Sequence, residues 1–178
     1  IGRQLIRNAR AASLLYLGDA DMDPLRAVLG ELAEHRDAAA HLAGIVSGLG
    51  IRYDMGPGQH PLLGRRMPPD QVLVRPDGSR ARIADLLHAA RGVLIATDAA
   101  APAARLAQDW ADRVDIVTAA WAPAPGPAPE AVLIRPDGYV AWTSPGSDHD
   151  LTDTLTRWFG HPHPTTTAPP ATAGARPA

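Results

Sequence analysis

Two stretches of this chain, Gln71 to Ile83 and Ala131 to Trp142, share an Arg-Pro-Asp-Gly tetrapeptide, which in the second of them lies between two apolar runs. Proline presets φ for the first turn position, aspartate tolerates the second, and glycine takes the left-handed conformation that reverses the chain, so each stretch predicts a β-hairpin. From Ala131 to Trp142 both arms are apolar at nearly every position, which requires cover on both faces, as in a central strand pair with helices packed on the sheet. In the other hairpin the second arm alternates. Arg80 and Arg82 face water while Ala81 and Ile83 face in, as expected near a sheet edge.

Helical periodicity dominates elsewhere. Leu5, Ala9, Ala12 and Tyr16 predict a helix from Gly2 to Leu17, closed by Gly18. Asp23-Pro24 reads as an N-cap with proline in the first turn of a helix carrying Leu25, Val28, Leu29 and Leu32, and running on through Leu42, Ile45 and Val46 to Leu49. Tyr53 to Asp70 is too rich in glycine and proline for a regular element. A short helix over Ala84 to Ala90 leads to the compact run Val93-Leu94-Ile95-Ala96, suited to a buried parallel strand. Thr97 or Asp98 caps the next helix, with Leu106, Ala107, Trp110 and Ala111 inward, and Val114 to Val117 forms a further strand. After a proline-rich loop and the central hairpin, Ser147-Asp-His-Asp150 predicts a capping box for a last helix with Leu151, Leu155, Trp158 and Phe159 inward. From His161 onward the composition cannot offset its ordering entropy, which predicts a disordered tail.

Composition narrows the function classes. With 178 residues, 46% hydrophobic and 20% charged, the chain is long enough for one sizeable core. A net charge of -2 with scattered arginines gives no basic stripe for nucleic acid. No apolar run reaches a membrane span and the start has no secretory pattern, so the reading is cytoplasmic. Cysteine is absent, which excludes disulfides, thiolate metal sites and a thiol nucleophile. The first residues, Ile-Gly-Arg-Gln, suggest the downstream part of something longer.

From about Gly92 the order is strand, helix, strand, antiparallel hairpin, helix, which resembles a thioredoxin fold. Pro129 stands where that fold usually places its cis-proline. Asp98 to Ala104, Asp-Ala-Ala-Ala-Pro-Ala-Ala, stands where a thioredoxin carries Cys-x-x-Cys, so redox chemistry is not expected. A closer resemblance rests on Ile-Gly-Arg-Gln-Leu-Ile-Arg-Asn-Ala-Arg-Ala from Ile1, His-Leu-Ala-Gly-Ile-Val-Ser-Gly-Leu-Gly-Ile-Arg-Tyr from His41 and His-Pro-Leu-Leu-Gly-Arg-Arg-Met-Pro from His60. Leu-Leu-His-Ala-Ala-Arg-Gly-Val-Leu from Leu86, Val-Leu-Ile-Arg-Pro-Asp-Gly-Tyr-Val-Ala-Trp from Val132 and Arg157-Trp158-Phe159-Gly160 add to it. Together they resemble the C-terminal portion of the flavin-dependent aromatic hydroxylases acting on polyketides, in the para-hydroxybenzoate and phenol hydroxylase group. The resemblance implies FAD and NAD(P)H in the full-length enzyme, an aromatic small-molecule substrate, and flavin motifs lying upstream of Ile1.

The remaining candidates have simpler readings. Gly56-Pro-Gly58 begins like a dinucleotide fingerprint, but Pro61 stands where its last glycine belongs. Leu17-Gly18-Asp19-Ala20 superficially matches the group's Gly-Asp motif and reads as a helix cap. Asp19, Asp21 and Asp23 have the spacing of a calcium loop, yet Pro24 replaces the turn glycine and Gly30 the bidentate acid. His161 and His163 lack further ligands, and Ser147, Asp148 and His149 are explained by capping. His35 and His41 lie on or beside a helix with no second ligand pair. No catalytic, cofactor-binding or metal residue is therefore expected in this chain. His60, Arg65 and Arg66 are the candidates for interdomain docking, as a multidonor loop between arm and domain.

The expected fold is α/β: a thioredoxin-like domain, with a central mixed sheet flanked by helices, preceded by a helical connector arm. Residues 1–55 form the arm, 56–160 the domain and 161–178 the tail. The expected function is an accessory, interface-forming part of an FAD-dependent aromatic monooxygenase, inactive alone, whose partner is the upstream flavin and substrate domain and which allows a homo-oligomer. The competing reading is a stand-alone thioredoxin-like binding or dimerisation module.

Overall fold

The computed structural model describes residues 2–17, 19–56, 58–123, 128–145 and 148–163. Three helices open the chain: α1 (Gly2–Leu17), α2 (Asp23–Ala33) and α3 (Arg36–Ser47). Arg26 ties the first two, donating from Nε to the Leu15 carbonyl at 2.8 Å and from Nη1 to the Asp23 carboxylate. Asp23 is thus the first residue of α2; Asp19 does the capping, on the short turn before it. The single long helix expected through Leu49 is interrupted. His35 is extended, at φ -79° and ψ 123°, and α3 starts afresh and packs against α2. The run Glu34-His35-Arg36-Asp37 has no apolar side chain to bury, so continuing the helix there would gain no packing, whereas the break lets α3 fold back. Gly18 and the capping box at Ser147 lie outside the described residues.

Strands β1 (Val72–Val74) and β2 (Arg80–Arg82) form the first predicted hairpin, with α4 (Ile83–Leu86) shorter than expected. Then come β3 (Gly92–Ala96), α5 (Ala101–Leu106), β4 (Val114–Thr118), the short β5 (Ala120–Trp121), the central hairpin β6 (Ala131–Ile134) and β7 (Val140–Thr143), and α6 (Asp148–Phe159). Four strands make a mixed sheet in the order β4-β3-β6-β7, with β3 and β4 parallel and β6 antiparallel to both its neighbours. That is the thioredoxin-like order.

Every residue of β3, β6 and β7 is buried, as their uninterrupted apolar runs require. Different elements cover the two faces of the sheet. Leu94, Leu133 and Trp142 pack with Trp110, Leu151 and Leu155 from the helical side. Val93, Ile95, Val132 and Ile134 pack instead on Leu73 of β1, in a second, three-stranded sheet β2-β1-β5, and on Ile83 and Leu86 of α4. The arginine alternation of β2 agrees with its place at the edge of that sheet.

Several local expectations shift. Thr97 makes no side-chain cap, because a 3₁₀ turn over Asp98–Ala100 intervenes before α5, and Ala111 is exposed beyond a second such turn ending at Trp110. Among the described residues the cis X-Pro bond is Ser144-Pro145, after β7, and not the one preceding Pro129. The chain from His161 to His163 is held rather than loose. Trp110 Nε1 donates to the Gly160 carbonyl at 2.8 Å, and Arg113 donates to the Phe159 and His161 carbonyls. His163 N–H reaches the Asp109 carbonyl at 2.8 Å, and its ring lies 3.2 Å from the Asp112 carboxylate. Residues 164–178 lie outside the described residues.

Candidate functional site

Strand β7 ends the sheet, and an open strand edge exposes unpaired N–H and C=O groups. The predicted loop supplies the cover. Gly64 N–H donates to the Val140 carbonyl at 2.9 Å, Val140 N–H to the Arg65 carbonyl at 2.9 Å, and Met67 N–H to the Gly138 carbonyl at 2.8 Å. Outside this segment lies the end of the arm, with Tyr53 N–H on the Gly64 carbonyl at 2.7 Å and Arg52 Nε on the Leu63 carbonyl at 2.9 Å. Residues read as irregular from their glycines and prolines therefore extend the sheet edge by two further segments.

This edge carries the docking candidates. Arg65 and Arg66 are exposed, and the Arg66 guanidinium lies 5.3 Å from the Tyr139 ring centre. His60 turns into its own loop: Nδ1 accepts from Leu62 N–H at 3.2 Å, and Nε2 is buried with no hydrogen-bond partner among the described residues. No hydrogen bond joins the three side chains among the described residues.

A feature the sequence did not single out lies beside them. Tyr53 and Tyr139 meet edge to face at 4.7 Å, and Arg135 spans from the Tyr53 ring, at 5.7 Å, to the Trp158 ring, at 3.9 Å. Arg157 adds a second cation, 5.1 Å from the same tryptophan. Met55 and Leu63 fill the space beneath. Each aromatic–cation contact contributes about 0.5 to 1 kcal/mol where water still reaches it and more where it does not. The signal was available in part: Arg52-Tyr53 and Arg157-Trp158 pair a cation with a ring, in a chain where rings are only 4% of residues.

The other candidates separate. Among the described residues no group of histidine, aspartate and glutamate side chains could hold a metal ion. Among the described residues the turn after β3 does not have the form of a dinucleotide cradle. After β3 the chain enters its helix through Thr97 and Asp98 without a glycine, and Asp98 puts a carboxylate in the first turn, where a pyrophosphate needs bare N–H groups. Gly56 and Gly58 neither follow a strand nor open a helix. No described helix is long and apolar enough to cross a membrane.

Three exposed carboxylates are held below the ordinary value of 3.8: Asp77 by the Ser79 hydroxyl and N–H, Asp85 by the Arg82 side chain and N–H, and Asp112 by Arg113 and His163, which outweigh its partial desolvation. A depressed carboxylate contributes stability above its unfolded value and loses it as pH falls through its folded one. Stability should therefore decline as pH drops below about 3.8, and Asp112→Asn should flatten that decline in urea melts taken across the acid range.

Comparison with known proteins places this geometry. The family described as "Aromatic-ring hydroxylase, C-terminal" matches residues 60–162. A 12-dehydrotetracycline 5-monooxygenase/anhydrotetracycline 6-monooxygenase of Streptomyces rimosus is 44% identical over 167 residues, covering 91% of this chain and 33% of that protein. A dialkyldecalin synthase of Streptomyces rugosporus is 34% identical over 159 residues, covering 89% of this chain and 29% of that protein. Among solved structures, the aromatic hydroxylase CabE from angucycline biosynthesis superposes with a TM-score of 0.77 at 50% identity, over 90% of this chain and 33% of that one. The chain thus spans about a third of the length of the relatives it matches. Since the family's profile covers more than half of the sequence and the likeness continues through the arm, this chain belongs to the aromatic-ring hydroxylase C-terminal family.

Proposed function

We propose that this chain is the C-terminal part of a cytoplasmic, FAD-dependent and NAD(P)H-using monooxygenase that hydroxylates an aromatic ring, with a phenolic polyketide as substrate. The observation that carries the reading is the 44% identity to the tetracycline-pathway monooxygenase, which runs through arm and domain alike. The part described is accessory. A dialkyldecalin synthase shares a region of similar extent, which supports a reaction set outside this region, with the shared part serving as a folded, interface-forming body. Residues 1–55 serve as the connector, 56–160 as the thioredoxin-like domain and 161–178 as the tail. His60, Arg65 and Arg66 are the polar docking candidates, and the upstream flavin and substrate domain is the partner.

Two measurements test this. Titrating FAD into the 178-residue chain should leave flavin fluorescence unquenched, and micromolar binding would sink the accessory reading. In the full-length protein, NAD(P)H oxidation coupled to ring hydroxylation should survive a change at His88, an exposed residue just after α4 and outside the docking candidates, that leaves the fold intact. Loss of hydroxylation in such a variant, with flavin still bound, would put the chemistry in this region.

A further inference from the structure

Each of the three arm helices has a half-buried side and an exposed side that carries large apolar residues. In α1 the half-buried positions are Asn8, Ala12 and Leu15, spaced three or four apart on the side that Arg26 ties to α2. On the opposite side Ile6, Ala9, Ser13, Leu14 and Leu17, with Arg10, line an open and largely apolar groove; Leu14 is 64% and Leu17 86% exposed. In α2 the half-buried side chains are Met22, from the preceding turn, Arg26 and Leu29, while Leu25, Val28 and Leu32 form an exposed stripe. In α3 Ala38, Ala39 and Ile45 are half-buried and Leu42 and Val46 are exposed, as is Leu49 just beyond its end. No residue of the three helices is fully buried. Periodic leucines and valines in water mark an interface, since a monomer rarely leaves so large an apolar area open.

We infer that these outer stripes are the docking surface for the upstream two-thirds of the same polypeptide. The family that matches residues 60–162 is a C-terminal one and the relatives are about three times longer, so the arm is the stretch that faces the missing part. The arm joins the domain through the Tyr53–Gly64 and Arg52–Leu63 hydrogen bonds, so its helices lie on the upstream side of the domain in sequence. Arg3, Arg7 and Arg10 give α1 three cations and no acid, so the occupant is an apolar surface rimmed with carboxylates. This rests on the chain being the C-terminal part of a longer enzyme, but not on what that enzyme catalyses.

The test is hydrogen exchange on the 178-residue chain and on the polypeptide extended upstream to the relatives' length. Amides of α1 to α3 should exchange about tenfold or more slowly in the extended protein. Ile6→Glu, Leu14→Glu and Leu17→Glu together should abolish that protection yet leave the melting temperature of the 178-residue chain unchanged, which shows that the variant folds. Equal exchange in the two wild-type proteins overturns the inference. So does self-association of the short chain that the triple variant abolishes, or its binding to phosphatidylglycerol vesicles without added protection in the extended protein. If protection appears but the extended protein neither binds FAD nor hydroxylates, the proposed function fails and the docking surface stands.

Discussion

Replacing Trp142 with alanine is expected to destabilise the domain by about 3 to 5 kcal/mol, the range for emptying a buried aromatic site. Trp142 is 6% exposed on β7, opposite Leu133, and shares its cluster with Leu151 and Leu155 of α6. Its indole Nε1 has no hydrogen-bond partner among the described residues, so the loss is one of packing alone. Trp142→Phe separates the terms. It keeps most of the ring and removes an N–H whose unpaired burial costs about 1 to 3 kcal/mol, so it should be far milder than alanine. Urea melts give both numbers, and a cost under about 1 kcal/mol for alanine would remove β7 from the centre of the core.

The core was legible because it is written in strict patterns. The all-apolar arms around Arg135-Pro-Asp-Gly138 could only be strands covered on both faces, and β6 and β7 are buried throughout. The alternation at Arg80 and Arg82 placed an edge correctly. What covers the second face was not legible, since apolar periodicity says that a surface is buried and not whether a helix or a sheet buries it. The break at His35 and the cover of the β7 edge were missed for a related reason. A helix that folds back to pack, and a glycine-rich segment that pairs by backbone alone, leave no trace in side-chain periodicity.

The docking candidates sit differently in the fold. Arg65 and Arg66 are exposed, whereas His60 spends Nδ1 within its own turn. The contacts that lock arm to domain belong to Tyr53, Arg135 and Trp158, which lie far apart in sequence and meet only once the edge is assembled. The arm gave the opposite signal: its apolar stripes promised burial that the described chain does not provide.

Gly64→Ala is expected to unlock that edge at a cost of about 2 to 5 kcal/mol, from two separable causes. The backbone at Gly64 is left-handed, with φ of 76°, which costs a residue with Cβ roughly 1 to 2 kcal/mol. The new methyl would also overlap the Tyr53 carbonyl oxygen, a backbone atom that cannot swing aside as a side chain does. Relief requires Tyr53 to move out and give up its N–H bond to the Gly64 carbonyl, and with it the ring contact to Tyr139. Overpacking of this kind typically costs about 1 to 3 kcal/mol. Gly78→Ala is the control. Its φ is 82°, equally left-handed, but nothing lies within 4 Å of the new methyl, so it should show the conformational cost alone. Urea melts of the two variants isolate the overlap by difference, and hydrogen exchange should show Arg52 to Met55 loosened in Gly64→Ala and unchanged in Gly78→Ala. Equal costs would mean that Tyr53 yields freely, and that the arm is joined to the sheet by a hinge instead of a clamp.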